Sequence, residues 1–298
     1  SIVVCSLPDM TLIPLIIAGL SHAAIVLADR ATIRTGHHMQ ELGHEEVHTQ
    51  TAPWTSALVA VSGSVAAVKA PELVGRLLDR GVSIDLVVTE PALKLLQVNY
   101  KDNIPWSQLQ ELATKHAFGV ENKTSLQIHR DADEWVSYHK VGTDKVLHIE
   151  LAKRNKLFLI APLCANTLAA AANGFASNLL TSALRAWYYD LESSKFTDEM
   201  AEKYGSQAVN RPVLAAIAMN TYMWFQRVTQ THIATLRARN VAFVEPVEKR
   251  LACGDIGMGA MAAVDDIVTE SIRLLREHEA AEQQALQQGK QEFDPWAT

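Results

Sequence analysis

The chain has 298 residues, 48% apolar and 20% charged, a composition able to bury a sizeable core. A net charge of -6 with no Lys/Arg-rich run argues against a nucleic-acid partner, because binding phosphodiesters needs a clustered basic surface. Three cysteines, at 5, 164 and 253, are too few and too scattered for a disulfide framework or a zinc site, so a reducing, cytoplasmic setting is the simplest expectation.

Residues 1–55 read as a poorly ordered N-terminal extension. Met10 to Leu27 is nearly uncharged and long enough to be weighed as a membrane anchor, but Pro14, Gly19, Ser21 and His22 interrupt it. No basic segment or small-residue cleavage site marks it as a signal. His37, His38, His44 and His48 follow in a polar stretch, and they read as solvated residues rather than as metal ligands.

A regular pattern begins at Ser56 and defines a domain over 56–275, with a polar tail over 276–298. Ala57 to Val61 is a buried strand, Ser62-Gly63-Ser64 a tight turn, and 65–80 a helix with Val65, Val68, Leu73, Leu77 and Leu78 on its apolar face, ended by Gly81. Ile84 to Val88 is the next strand, followed by Thr89 and a short helix from Pro91 to Leu96. His148 opens a short helix before a strand over Lys156 to Ala161, and a single small-residue helix is expected from Ala165 to about Tyr188. The stretch 190–210 reads as a charged surface insertion. Strands follow at Val213 to Ile217 and Val241 to Val244, with a helix from Met223 to Arg239 between them. Ile267 to about Gln288 closes as a helix that frays beyond Glu277. Continuous apolar strands alternating with helices specify an α/β fold, a parallel sheet covered on both faces.

Several strand ends carry polar groups suited to chemistry. Gly63, Ser64 and Val65 sit at a strand-to-helix junction, where free N–H groups and the helix dipole favour an anion, although a serine N-cap needs no phosphate. The second and third glycines of a dinucleotide fingerprint are absent. Thr89 and Cys164-Ala165-Asn166-Thr167 follow two other strands, and Ala218-Met219-Asn220 follows a third. His148, near a helix N-terminus, suits a neutral imidazole that accepts a proton; the plain alternative is a capping or structural histidine. Cys253 lies among Gly254, Gly257 and Gly259, with Lys249 and Arg250 upstream, which suggests a mobile lid bearing a reactive thiol rather than a small core residue.

At these residues the sequence resembles the flavin-containing cysteine decarboxylases, most closely the phosphopantothenoylcysteine decarboxylases and their halotolerance-protein relatives. The resemblance covers Ala57 to Arg273. It rests on Gly63-Ser64-Val65-Ala66-Ala67, Asp133-Glu134-Trp135, Val146-Leu147-His148-Ile149-Glu150-Leu151 and Ala161-Pro162-Leu163-Cys164-Ala165-Asn166-Thr167-Leu168. It continues through Asn178-Leu179-Leu180, Arg185-Ala186-Trp187, Met219-Asn220-Thr221 with Met223-Trp224, and Leu251-Ala252-Cys253-Gly254-Asp255 with Gly259-Ala260-Met261.

The resemblance implies a Rossmann-like (flavodoxin-like) three-layer sandwich with a mainly parallel sheet, assembled as a homotrimer that binds FMN near subunit interfaces. The implied substrate is 4'-phosphopantothenoylcysteine and the product 4'-phosphopantetheine, on the coenzyme A route. The thiol is oxidised to a thioaldehyde, CO2 leaves, and the ene-thiol is reduced again. The implied catalytic residues are His148, handling the proton of the oxidative half, and Cys253, the acid of the reductive half. Asn220 would hold the substrate carboxylate, with Arg250, Ala252 and Met261 on the lid. FMN would lie against Gly63, Ser64, Val65, Thr89, Cys164, Ala165, Asn166, Thr167 and Ala218, and no metal is implied.

Three positions depart from the family pattern. Ile217 replaces a proline, which is expected to loosen the loop that aims Asn220; Cys164 replaces a serine; and Pro91 stands where serine is common. Two alternatives remain open: a regulatory flavoprotein of the halotolerance type, which would carry a longer acidic tail than 277–298, and a subunit of a mixed trimer.

Overall fold

In a computed structural model, the described residues are 53–118, 123–190, 210–250 and 256–291, all within the compact unit Val47–Thr298. The extension before residue 53, most of the 190–210 insertion and the end of the tail lie outside them. Six strands form one all-parallel sheet: β1 (Thr55–Val61), β2 (Val82–Val88), β3 (Leu126–Arg130), β4 (Leu157–Leu163), β5 (Val213–Ile217) and β6 (Val241–Val244). Their order is β3-β2-β1-β4-β5-β6, so the winding reverses between β1 and β4. This is the strand order of a doubly wound Rossmann sheet.

The two faces of the sheet are covered by different helices. Ala57, Val59 and Val61 pack with α1 (Ala70–Asp79), α2 (Glu90–Leu96), α3 (Pro105–Lys115) and the last helix, α9 (Val264–Gln291). Leu58 and Ala60 point the other way, to α4 (Leu147–Arg154), α5 (Ala165–Asn173), α6 (Leu179–Ala186) and α8 (Arg227–Ala238). The strict alternation along β1 divides the core in two, as the period of a strand requires. Full burial of a leucine such as Leu58 contributes about 2 kcal/mol.

Several elements differ from the sequence expectation. The helix expected over 65–80 is a 3-10 turn (Val65–Lys69) followed by α1, because Pro71 has no N–H to give and fits only in a first helical turn. The helix expected over 165–188 is two helices: Gly174, at φ 74°, ends α5, and Asn178 caps α6 by accepting from the Thr181 N–H at 2.9 Å. Gln226, extended at ψ 136°, separates α7 (Thr221–Phe225) from α8. Helix α9 runs past Glu277 to Gln291, with Arg273 bridging Glu270 and Glu277, and Lys156, just before β4, paired with Glu282. Helix α3, strand β3 and the antiparallel hairpin of β7 (Val247–Arg250) and β8 (Ile256–Ala260) were not anticipated. Among the described residues no helix is long and apolar enough to cross a membrane.

One buried carboxylate in the lower half of the sheet is saturated. Asp85, in the middle of β2, accepts from His129 Nε2 at 3.0 Å, Arg154 Nε at 2.6 Å and Asn155 Nδ2 at 2.7 Å. Burial pushes its carboxyl up, but these hydrogen bonds outweigh burial and bring it down to about 2. Arg211, also buried, donates to the carbonyls of Ala152, Lys153 and Asn155 and so closes the C-terminal end of α4.

Candidate active site

The reversal of winding sends the segment after β1 to one face of the sheet and the segment after β4 to the other, opening a crevice at the carboxyl ends where such sheets bind ligands. Its floor is a residue with no functional signal of its own in the sequence. Ser62, fully buried, donates its hydroxyl to the Pro162 carbonyl at 2.7 Å and accepts from the Cys164 N–H at 2.8 Å. It ties β1 to β4 where the two strands part. Beside it, a Cβ on Gly63 would meet Pro91 Cβ at 2.6 Å, so only glycine lets the first turn of α2 approach this closely. Pro91, the departure from the family pattern, is thus packed against the phosphate-type turn.

The other sequence-predicted cofactor residues surround the same crevice. Ser64 caps the 3-10 turn, accepting from Ala66 N–H at 3.4 Å, and Val65 behind it is half exposed. Thr89 caps α2, accepting from Ala92 N–H at 3.4 Å, and its hydroxyl donates to the Val61 carbonyl at 3.3 Å. Cys164 is different: it stands at the N-cap of α5 without bonding to any helix N–H, and its thiol donates to Thr167 Oγ1 at 3.4 Å. The first N–H groups of α5, from Ala165 through Thr167, therefore have no side-chain cap, and they carry the positive end of the helix dipole. Asn166 is exposed at the mouth, while Ala218, after β5, donates its N–H to the Leu163 carbonyl at 3.0 Å. A glycine-floored turn, two hydroxyl-bearing strand ends and one uncapped helix fit a group that has a phosphate and a polar ring edge.

Asn220 follows directly, as N-cap of α7; its Oδ1 accepts from Tyr222 N–H at 2.8 Å. The loop is pinned from the hairpin side, since Met219 donates its N–H to the Gly259 carbonyl at 2.9 Å. Gly259 has φ 119°, and a Cβ there would lie 2.2 Å from the Met219 carbonyl oxygen; at Gly257 it would lie 2.5 Å from Thr221 Oγ1. At these two positions glycine serves close approach and backbone conformation, a different reason from the lid mobility read in the sequence. Ile217 is fully buried at the end of β5, and the loop after it is held by the hairpin rather than by a proline ring. Met261, expected on the lid, is buried in the same core cluster as Ala218, whereas Met223 is 48% exposed. Ala252 and Cys253 lie outside the described residues, and of Arg250 only the backbone, ending β7, is described.

His148 occupies the first turn of α4. Because α4 leads into β4, this turn lies toward the carboxyl edge of the sheet. Its Nδ1 is 2.6 Å from Glu134 Oε1, in the loop after β3. A carboxylate there holds the proton on Nδ1 and leaves Nε2 as the proton-accepting nitrogen. Glu134 is buried, and its Oε2 has no hydrogen-bond partner among the described residues. The partnership could not be read from spacing, since 14 residues separate the two side chains. Asp131, three residues earlier, accepts from the first N–H of α6 (Leu179, 3.0 Å) and of α2 (Glu90, 3.4 Å), which fixes the loop carrying Glu134 to two helix N-termini.

Comparison with known proteins places this geometry. The family profile described as Flavoprotein matches residues 45–276. A mouse protein named phosphopantothenoylcysteine decarboxylase is 37% identical over 227 residues, covering 76% of this chain and 90% of its own. A rice protein of the same name is 39% identical over 173 residues, 57% of this chain and 69% of its own. Among solved structures, a PPC decarboxylase mutant complexed with pantothenoylaminoethenethiol covers 75% of this chain and 98% of its own, at 33% identity and a TM-score of 0.56. The FMN binding protein AtHal3 covers 75% and 97%, at 34% identity and a TM-score of 0.55.

Proposed function

Because this chain belongs to the Flavoprotein family, as a member similar to phosphopantothenoylcysteine decarboxylases, we propose that it is an FMN-dependent decarboxylase acting on 4'-phosphopantothenoylcysteine. The observation that carries the reading is the Glu134–His148 pair. A protein that only carried a flavin would need no buried carboxylate holding a histidine in one tautomer.

The residues around the crevice suit FMN. Gly63, Ser64, Val65 and Thr89 would hold its phosphate, and the uncapped N–H groups over Ala165 to Thr167, with Ala218, its ring edge. When bound, the flavin supplies a two-electron oxidation of the substrate thiol and its reversal. His148, with Nδ1 committed to Glu134, offers Nε2 to take up the proton released on the oxidative side. Asn220, at the N-cap of α7, carries a side-chain amide whose N–H groups are the donors that would suit a substrate carboxylate. Cys253, with Arg250 and Ala252 beside it, would return a proton at the reductive step. The product, 4'-phosphopantetheine, places the reaction in coenzyme A biosynthesis.

A homotrimer is the assembly we propose. Trp135, Val136, Phe175, Tyr222 and Phe225 expose large apolar surface on segments near Glu134, Asn220 and the end of α5, as an interface between copies would use. The test is to purify the protein and follow the flavin spectrum and CO2 release with 4'-phosphopantothenoylcysteine. Yellow protein with bound FMN and stoichiometric CO2 is expected. Colourless protein that takes up no FMN defeats the reading, and FMN binding without CO2 leaves the regulatory alternative in its place.

A further inference from the structure

Next to the crevice lies a groove of about 750 Å³ that no part of the reading above uses. It is bounded by the 3-10 turn after β1, the turn at 100–103, one side of α3 and strand β7. Four lysines line it: Lys69, Lys101, Lys115 and Lys249. Its two carboxylates do not balance them, since Glu72 is engaged by Arg76 at 3.0 Å. Among the described residues, Lys69, Lys115 and Lys249 form no ion pair, and Lys101 lies over the ring of Tyr100 at 5.4 Å. Burial first, then the nearby charge of Lys249, hold the Lys69 pKa below its ordinary value, against an opposing pull from Glu72 and with a lesser contribution from Lys101. In a chain of net charge -6, four unpaired cations around one concavity are kept against their own repulsion.

We propose that this groove receives the phosphate of the substrate, a flexible phosphate monoester whose thiol end lies at Asn220 and His148. The proposal rests on the decarboxylase reading for the identity of the ligand. Two chain connections favour it. Lys69 ends the 3-10 turn that begins at Ser64, on the rim of the crevice. Lys249 lies on β7, whose partner strand β8 carries the Gly259 carbonyl bonded to Met219, next to Asn220. A ligand anchored at Asn220 and passing the hairpin therefore meets the lysines with its far end. Ammonium groups act on a phosphate dianion as point charges, which tolerates a flexible arm.

The test uses the FMN-loaded protein and a Lys101→Ala/Lys115→Ala double variant, with 4'-phosphopantothenoylcysteine and its dephosphorylated form as paired substrates. The ratio of kcat/KM for the phosphorylated over the dephosphorylated substrate is expected to fall about tenfold, mainly through KM. Lys101→Arg/Lys115→Arg should keep most of the ratio. Should the alanine variant not fold, salt dependence of the native protein decides: KM for the phosphorylated substrate alone should rise with ionic strength. An unchanged ratio, or a flat salt profile, overturns the proposal. So does a loss of FMN affinity with the ratio intact, which would give the groove to the flavin's phosphate. If the native protein turns over neither substrate, the decarboxylase reading fails, and calorimetry with 4'-phosphopantetheine against pantetheine judges the groove. Phosphate-dependent binding that the alanine variant loses sustains it, and equal binding of the two compounds overturns it.

Discussion

Two buried carboxylate–histidine pairs, Asp85–His129 and Glu134–His148, look alike in distance and differ in everything around them. Asp85 is met by His129, Arg154 and Asn155, and its valences are filled. Among the described residues, the Glu134 carboxylate meets His148 and keeps a buried oxygen with no hydrogen-bond partner. A saturated carboxylate has its charge balanced and nothing to exchange, so it stabilises the sheet. An unsaturated one is kept at a cost in stability and is open to the chemistry of its partner. The first pair sits inside β2 and β3; the second stands on a loop and a helix N-terminus at the carboxyl edge.

Exchanging the two histidines separates the roles most sharply. His148→Asn is expected to slow CO2 release about 10³-fold, the scale of a lost proton-transfer group, with stability little changed. His129→Asn should do the opposite, lowering the urea midpoint while leaving CO2 release within a few-fold. Equal loss of turnover in both variants would erase the distinction.

The next effect is in stability. Asp85→Ala strands His129 and the guanidinium of Arg154, and removal of one partner from a buried pair costs about 3 kcal/mol. The estimate is held to the low end because Arg154 is itself 44% exposed. Urea denaturation measures the loss, and flavin content of the refolded variant should be retained.

The same carboxylate predicts an acid limb. Its pKa is lowered from 3.8 to about 2 in the folded state, so below pH 4 the unfolded chain binds a proton that the native state refuses. The contribution, about 2 kcal/mol, is complete above pH 4 and is lost as pH falls through 2. Stability curves of native protein and Asp85→Asn should therefore converge over that window. A constant gap between them would mean that the pairing is not what lowers the carboxyl.

What the sequence made legible follows the same division between filled and unfilled groups. Strands β1, β4 and β5 are continuous apolar runs because they are buried on both faces, and their pattern alone marks them. β3, at the edge, reads Leu-Gln-Ile-His-Arg; its polar residues serve Asp85 and Arg154, and two alternating apolar positions are too few to mark a strand. Gly174 ends a helix just after the alanines at 169–172 and Asn173, where the alanines favour continuity and the left-handed cap residue stops it. The crevice residues Gly63, Ser64, Thr89 and Cys164 were visible because each lies at the end of a visible strand. Ser62 and Glu134 were not, since their partners are 100 residues and 14 residues away and only folding brings them together.

The smallest expected effect tests Glu134 by itself. Glu134→Gln preserves size and can still accept the Nδ1–H through its amide oxygen, but it removes the negative charge that would stabilise a protonated ring. If Glu134 only fills space beside α4, turnover stays as it is. If it positions His148, kcat falls about tenfold with KM nearly constant, because a positioning charge acts on the proton-transfer step and not on substrate affinity. Stability should change by less than about 1 kcal/mol, because the amide keeps the hydrogen bond to Nδ1 and, like the carboxylate, leaves one buried polar atom unpartnered. An unchanged kcat, or a loss carried by KM, would assign Glu134 to packing, and with it the contrast to Asp85 would fall.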